Sequence, residues 1–254
     1  MPFILLPIAF FCVALIYASV GFGGGSTYTA LLVLSEVDYR LIPIISLVCN
    51  ILVVSGSCWR YRRAGLLPVK RLAPAMLVSV PLAWLGGIMP VSEAIFVLVL
   101  GLSLAATGVL LLFQPRMRAG QAAPGWLLYP AGAGTGFLAG LVGIGGGIFL
   151  APILYLIRWA GEREIAAAAS LFILVNSLAG LTGQLMKLDM GPDIQLDAWI
   201  YALPACVLLG GWIGNRLGIR ILPAERLRQG TAILILIVAV RLLYRSLFAA
   251  PAVL

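Results

Sequence analysis

The sequence contains the stretch V-G-F-G-G-G-S-T at residues 20–27 and a second copy, V-G-I-G-G-G-I-F, at residues 142–149. Both copies lie inside long apolar runs, and Gly143 follows Gly21 by 122 residues. A glycine costs a helix about 1 kcal/mol relative to alanine, so a triple glycine predicts a break in each run. Two equivalent breaks predict a duplicated unit, a pattern typical of membrane proteins that bind a ligand between internal repeats.

The composition predicts a membrane protein. Of the 254 residues, 62% are hydrophobic and only 10% are charged, whereas soluble domains carry about 25% charged residues. The net charge of +8 is therefore interpreted as a topology signal, and no basic run is interleaved with aromatic residues as nucleic-acid binding requires. The chain has no histidine, and its four cysteines form no C-x-x-C pair. We therefore expect no metal site, no cofactor and no catalytic centre.

Four features recur in the same order in the two halves. Each half has the glycine motif, an asparagine inside an apolar span, a W-x-G tripeptide, and a turn that begins with proline and ends with glutamate. The sequence therefore predicts repeat 1 at residues 1–114, a cytoplasmic linker at residues 115–125 and repeat 2 at residues 126–254, in one membrane domain. Glycines at four-residue spacing in the second half predict close helix packing. They are Gly132, Gly136 and Gly140.

The basic residues distinguish two topologies. If each glycine-broken run crosses the membrane once, seven of the 17 basic residues lie on one side and the rest on the other, hardly a bias. If each run turns back as a hairpin, all but four of the 17 lie on one side. Those four are Arg40, Lys187, Arg241 and Arg245. Because basic residues concentrate in cytoplasmic loops, the hairpin arrangement is favoured.

We therefore predict an all-α polytopic integral membrane protein of two inverted repeats. Each repeat is a glycine-broken helical hairpin plus three transmembrane helices. Both termini are predicted on the non-cytoplasmic side. The glycine turns would then lie near the middle of the membrane, where irregular backbone is tolerated only if it is buried or lines a cavity.

The glycine turns are the candidate binding site. Short helices that begin at them would offer unpaired N–H groups and the positive end of a dipole to a small anion. The candidate substrate-binding residues are Gly23, Gly24, Gly25, Ser26, Asn50, Gly145, Gly146, Gly147 and Asn176. Two alternatives stay open, because the glycines could serve only helix packing and the asparagine amides could form only interhelical hydrogen bonds.

The glycine motifs, the duplicated layout and the asparagine-bearing second spans resemble the TauE/SafE family, the sulfite exporter-like permeases of bacteria. The resemblance covers about residues 3–248, and its motifs are G-F-G-G-G-S at residues 21–26 and G-I-G-G-G-I-F-L-A-P at residues 143–152. It implies transport of small sulfur-containing anions, such as sulfite or an organosulfonate, across the inner membrane. The glycine motifs, Asn50 and Asn176 carry over as candidate site residues.

These observations together predict a secondary transporter that works by alternating access, with the anion and the lipid bilayer as partners and no nucleic acid. The alternatives are an anion channel or a non-transporting membrane partner protein. An enzyme would need catalytic groups that the sequence lacks. The sequence leaves open which anion is moved, in which direction, with which coupling ion, and whether the protein is a homo-oligomer.

Overall fold

Ten α-helices form the described structure, a computed structural model that covers residues 5–112, 125–187, 198–217 and 224–248. Their bounds are α1 Leu5–Val20, α2 Gly25–Leu34, α3 Ile42–Arg63, α4 Val69–Ile88, α5 Glu93–Leu112, α6 Leu128–Val142, α7 Gly147–Leu156, α8 Glu162–Lys187, α9 Ala202–Leu217 and α10 Ala224–Phe248. Short 3₁₀ turns precede α6 and α9. All regular structure in these residues is helical, which confirms the predicted class. The linker predicted at residues 115–125 falls almost entirely outside the described residues.

Four of the described helices, α3, α4, α5 and α8, are long and apolar enough to cross a membrane. Helix α8, with 26 residues, is the longest of the four. Large apolar side chains point outward from the bundle, and Leu77 on α4 is 73% exposed. An apolar outer surface of this kind is stable in lipid and not in water, so the protein is embedded in a membrane.

The glycine motifs end one helix and begin the next, as the sequence predicts. Helix α1 ends just before the first motif's glycines and α2 begins at the last of them, and α6 and α7 repeat this arrangement. Gly21 and Gly24 have φ values of 87° and 79°, and Gly143 and Gly146 have values of 80° and 79°. Only glycine occupies this left-handed region at little cost, so the motif allows the chain to turn back within a few residues.

The helices of the two halves pack on each other in a reciprocal pattern. If the second half repeats the helix order of the first, α6–α10 correspond to α1–α5. Helix α1 packs on α9 and α4 packs on α6, so these two pairs are equivalent. The pairs α3 with α9 and α4 with α8 are equivalent in the same way, as are α2 with α10 and α5 with α7. Helices α3 and α8 pair with each other, and so do α5 and α10. The buried core therefore lies largely between the halves.

Small residues allow these helices to approach closely. A Cβ atom placed on Gly136 of α6 would lie 2.5 Å from the carbonyl oxygen of Ser79 in α4. One placed on Gly210 of α9 would lie 3.1 Å from the Cβ atom of Ala14 in α1. Backbone-to-backbone contact of this kind is typical of membrane helices. The close packing predicted from four-residue glycine spacing is present in the structure.

Helices α4 and α8 run parallel. Near the start of both, the Arg71 guanidinium donates a 2.8 Å hydrogen bond to the carbonyl oxygen of Trp159 and lies 3.5 Å from the Glu164 carboxylate. At the other end, the Lys187 ammonium donates a 3.3 Å hydrogen bond to the carbonyl oxygen of Met89. The connection between α7 and α8 therefore lies at the same end of the bundle as the start of α4.

Candidate substrate-binding site

In each half, the chain folds back on itself at the glycine motif. A Cβ atom placed on Gly24 would lie 2.9 Å from a methyl group of Val13, which is 11 residues earlier in α1. In the second half, a Cβ atom placed on Gly146 would lie 3.1 Å from the carbonyl oxygen of Thr135, also 11 residues earlier. The short helices α2 and α7 therefore start beside the preceding helix and do not continue its line.

Helices α2 and α7 begin with glycine caps. Their N-cap residues are Gly24 and Gly146, and neither cap is supplemented by a side-chain hydrogen bond. The first N–H groups to bond back to these caps belong to Thr27 and Phe149. The N–H groups at the very start of a helix have no partner inside it. Each turn therefore presents N–H donors and the positive end of a helix dipole.

Asn50 of α3 joins the two turns. Its side chain is fully buried, and its Nδ2 atom donates a 3.0 Å hydrogen bond to the carbonyl oxygen of Ile144 in the second motif. A Cβ atom placed on Gly23 would lie 2.5 Å from Asn50 Oδ1, and one placed on Gly145 would lie 2.9 Å from Asn50 Nδ2. Gly25 faces both the Asn50 amide and the Ile144 carbonyl. One amide thus contacts the glycine turns of both halves.

Asn176 of α8 is placed differently. It is fully buried, but its Nδ2 atom donates a 2.8 Å hydrogen bond to the carbonyl oxygen of Phe172, one turn earlier in the same helix. Ile173, a neighbouring residue of α8, packs against the second turn and lies 2.9 Å from a Cβ atom placed on Gly145. The two asparagines follow the second glycine of their motifs by 27 and 31 residues. This difference of about one helical turn moves the Asn176 amide along α8, away from the position that Asn50 occupies.

Four buried polar atoms in or beside the turns have no hydrogen-bond partner within the described residues. They are Ser26 Oγ, Tyr28 Oη, Asn50 Oδ1 and Ser177 Oγ, and Asn176 Oδ1, farther along α8, also has none. Ser177 was not predicted from the sequence, yet its Oγ atom lies 2.8 Å from a Cβ atom placed on Gly145. The feature of the sequence that could have identified Ser177 is its position next to Asn176. Because unpaired buried polar groups destabilise a protein, each of these atoms needs a partner, such as a water molecule, an ion or a polar ligand.

Other polar side chains from α3 and α8 hold the turns in position. Ser46 Oγ donates a 3.1 Å hydrogen bond to the carbonyl oxygen of Gly25, and Ser170 Oγ donates to the carbonyl oxygen of Gly21. Gln184 Nε2 donates a 2.7 Å hydrogen bond to a carbonyl oxygen in the last turn of α6. The Gly140 oxygen that Gln184 bonds is one of the last four carbonyls of α6, which have no partner inside the helix. The two long helices α3 and α8 therefore form the frame of the site.

The side chains that lie against Gly23, Gly25 and Gly145 are uncharged. A cationic side chain reaches the last turn of α1, where Arg60 Nη2 donates a 3.3 Å hydrogen bond to the carbonyl oxygen of Ala18. Across the described ranges, no group of three or more histidine, cysteine, aspartate or glutamate side chains is placed to hold a metal ion. A ligand at the turns would therefore meet backbone N–H groups, amides and hydroxyls. This donor set suits a small anion bound without a cationic side chain.

Sequence comparisons place the chain in a family. The family described as sulfite exporter TauE/SafE matches residues 6–242. The chain belongs to the TauE/SafE family. A relative from Sinorhizobium fredii (strain NBRC 101917 / NGR234), named "Probable membrane transporter protein y4hK", is 30% identical over 245 residues, or 94% of this chain and 97% of the relative. A Bacillus subtilis (strain 168) protein named "Probable membrane transporter protein YunE" is 30% identical over 117 residues, or 45% of this chain and 40% of that protein. No solved structure matches the chain.

Membership in the TauE/SafE family confirms the family predicted from the glycine motifs and the duplicated layout. The family match extends over both glycine motifs and all ten described helices, ending within α10. The names of both relatives describe membrane transporters and no enzyme. Together with the apolar helices, they identify a membrane-embedded member of a transporter family.

Proposed function

We propose that this TauE/SafE protein is a secondary transporter that moves a small sulfur-containing anion, sulfite or an organosulfonate, across the bacterial inner membrane by alternating access. The observation that carries the proposal is the contact of one buried amide, Asn50, with both glycine turns. The family description supports the substrate class, since it names a sulfite exporter. The relatives' names support transport.

The anion in this proposal binds between the starts of α2 and α7. Gly23, Gly24 and Gly25 on one side and Gly145, Gly146 and Gly147 on the other carry no side chains of their own that would keep an anion away from their backbone N–H groups. Hydroxyl groups such as that of Ser26 can donate further hydrogen bonds, and the Asn50 amide holds the two turns at a fixed distance. Asn176 remains a proposed site residue because its buried Oδ1 atom has no partner among the described residues.

We also propose that residues 1–114 and 126–254 are inverted repeats. The reciprocal helix contacts support a two-fold relation between the halves. The ion pair between Arg71 and Glu164 supports a hairpin in the second half, because a single crossing by that broken run would put these residues on opposite sides of the membrane. The close approach of Gly24 to Val13, 11 residues earlier, supports a hairpin in the first half. The contact between Lys187 and Met89 supports the same topology from the other end. With the positive-inside rule, this arrangement puts both termini outside the cytoplasm.

The test is sulfite flux into vesicles that contain the purified full-length protein. We expect Asn50→Leu to reduce flux about tenfold or more, because it removes a buried hydrogen bond to a charged ligand or to the turn that binds it, worth about 1.5–3 kcal/mol. Leucine has a similar volume to asparagine, so the loss would come from hydrogen bonding and not from a cavity. Flux that saturates with sulfite concentration would distinguish a carrier from an anion channel.

Asn215→Leu is the matched control. The Asn215 amide also links two helices, since its Oδ1 atom accepts a 3.0 Å hydrogen bond from Ser57 Oγ, but it does not contact the glycine turns. We expect this variant to lose stability and to keep its flux. Wild-type flux in a folded Asn50→Leu protein would contradict the proposed role of Asn50. No sulfite or sulfonate flux in the wild-type protein would contradict the proposed function.

A further inference from the structure

A cavity of about 180 Å³ opens at the end of the bundle where α4 and α8 finish. Its lining includes two basic residues, Arg40 and Lys187, together with the aromatic rings of Tyr39 and Phe96 and the amide of Gln184. No carboxylate is among its described lining residues. A pocket of this kind, with apolar walls and a few polar groups, suits a small anion.

Lys187 carries the main positive charge of this cavity. The Arg40 guanidinium is paired with the Asp38 carboxylate at 2.8 Å, and this hydrogen-bonded pair lowers the pKa of Asp38, so both groups are ionised near neutral pH and their charges largely cancel. The Lys187 ammonium, by contrast, donates its hydrogen bond to a neutral acceptor, the Met89 carbonyl oxygen. Its charge is therefore not cancelled by that partner.

The floor of the cavity reaches the second glycine turn. Pro43 lines the cavity, and its Cβ atom lies 2.5 Å from a Cβ atom placed on Gly143. Gln184 also lines the cavity and donates hydrogen bonds to the last turn of α6, at 2.7 and 3.2 Å. An anion in the cavity would therefore lie beside the elements that form the proposed transport site.

We propose that this cavity is an outer anion-binding vestibule, in which Lys187 attracts a sulfite or sulfonate anion before it reaches the glycine turns. The inference rests on the proposed function and on the proposed orientation of the repeats. In that orientation only four basic residues lie outside, and two of them, Arg40 and Lys187, line this one cavity. Because the positive-inside rule disfavours basic residues on the outer side, their concentration at a cavity indicates a function in anion binding.

The sequence allows a direct chemical test, since Lys70 and Lys187 are its only lysines. Intact spheroplasts carrying the full chain are treated with a membrane-impermeant amine-reactive ester, and the labelled lysine is identified by peptide mass. We expect Lys187 to be labelled and Lys70 to be labelled only after lysis. Methanesulfonate and sulfate, which do not consume the reagent, should slow labelling of Lys187 relative to gluconate at equal ionic strength.

A flux measurement in vesicles provides the second readout. Lys187→Met should raise the sulfite concentration for half-maximal uptake about fivefold, the effect of one solvent-exposed charge at about 4 Å. Lys187→Arg should restore uptake, and Lys70→Met is the matched control, because Lys70 is exposed at the opposite end of α4. The vestibule would be overturned if anions did not slow labelling of Lys187 from outside and if Lys187→Met left the half-maximal sulfite concentration unchanged. The proposed transport function would not be affected by that result. Labelling of Lys70 in place of Lys187 would overturn the proposed orientation. The absence of sulfite flux in the wild-type protein would overturn the proposed function.

Discussion

At the scale of single residues, the site depends on glycines, which have no side chain, as much as on the asparagine that contacts them. Gly23, Gly25 and Gly145 have no side chains, and this allows the Asn50 amide to contact the backbone of both turns. An asparagine amide has both donors and an acceptor, so it can bond to one turn and leave an oxygen for another partner. A larger or apolar side chain at Asn50 would separate the turns or leave the Ile144 carbonyl unpaired.

The first prediction at this scale concerns Gly25. A methyl group at this position would overlap with both the Asn50 amide and the Ile144 carbonyl oxygen. We expect Gly25→Ala to abolish sulfite flux while the protein remains inserted in the membrane, as measured in vesicles after purification. Gly211→Ala is the control, because this glycine is also buried in a helix but has 3.5 Å of clearance to Val53. Equal flux in the two variants would show that the turns are not close to the transported anion.

At the scale of elements, stability comes from helices of one half lying against helices of the other. Helix α6 lies so close to α4 that the carbonyl oxygen of Ser79 occupies the space where a side chain on Gly136 would stand. In lipid the hydrophobic effect does not drive helices together, so van der Waals contacts and interhelical hydrogen bonds must do so. Contacts of this closeness are therefore sensitive to any added volume.

Gly136→Leu should therefore destabilise the protein. We expect a loss of about 1–3 kcal/mol from overpacking, seen as a lower melting temperature in detergent and less monodisperse protein. Gly134→Leu is a matched control two residues away, because Gly134 has no neighbouring atom within 4 Å of its Cβ position and faces outward. If both variants melt at the same temperature, close packing of α6 on α4 does not limit stability.

At the scale of the whole molecule, the contacts at the two ends of the bundle indicate how the chain crosses the membrane. Arg71 meets Trp159 and Glu164 at one end, and Lys187 meets Met89 at the other. The exposed pair of Arg241 and Glu36, 3.9 Å apart, fits the same arrangement. An exposed ion pair contributes little to stability, so these contacts are useful mainly as markers of which segments share a side.

Reporter fusions test this topology. We expect fusions after Arg63 and after Arg163 to report the cytoplasm, and fusions after Asp38 and after Lys187 to report the outside. The expectation follows from hairpins in both halves and from the excess of basic residues on one side. If the fusions after Arg63 and Arg163 report opposite sides, the second broken run crosses the membrane once and the inverted arrangement is wrong.

Much of this protein can be predicted from the sequence, because the signals concerned are local. Low charge predicts a membrane protein, glycine runs predict helix breaks, and glycines at four-residue spacing predict close packing. The candidate site is likewise predicted from the two glycine motifs, with helix packing as the open alternative. These inferences depend on residue type and spacing along one segment, and the structure has the helix breaks within a residue or two of the motifs.

Only the tertiary structure decides which residues meet. The two asparagines look equivalent in the sequence, but Asn50 contacts both turns while Asn176 bonds to its own helix, because the register of α3 and α8 against the turns differs by about one helical turn. Ser177 lies beside Gly145 for the same reason. The cavity next to Lys187 likewise depends on the ends of α4 and α8 and the α2–α3 connection meeting at one place. Contacts between segments so far apart in sequence depend on rotation and register between packed helices, which local patterns do not specify.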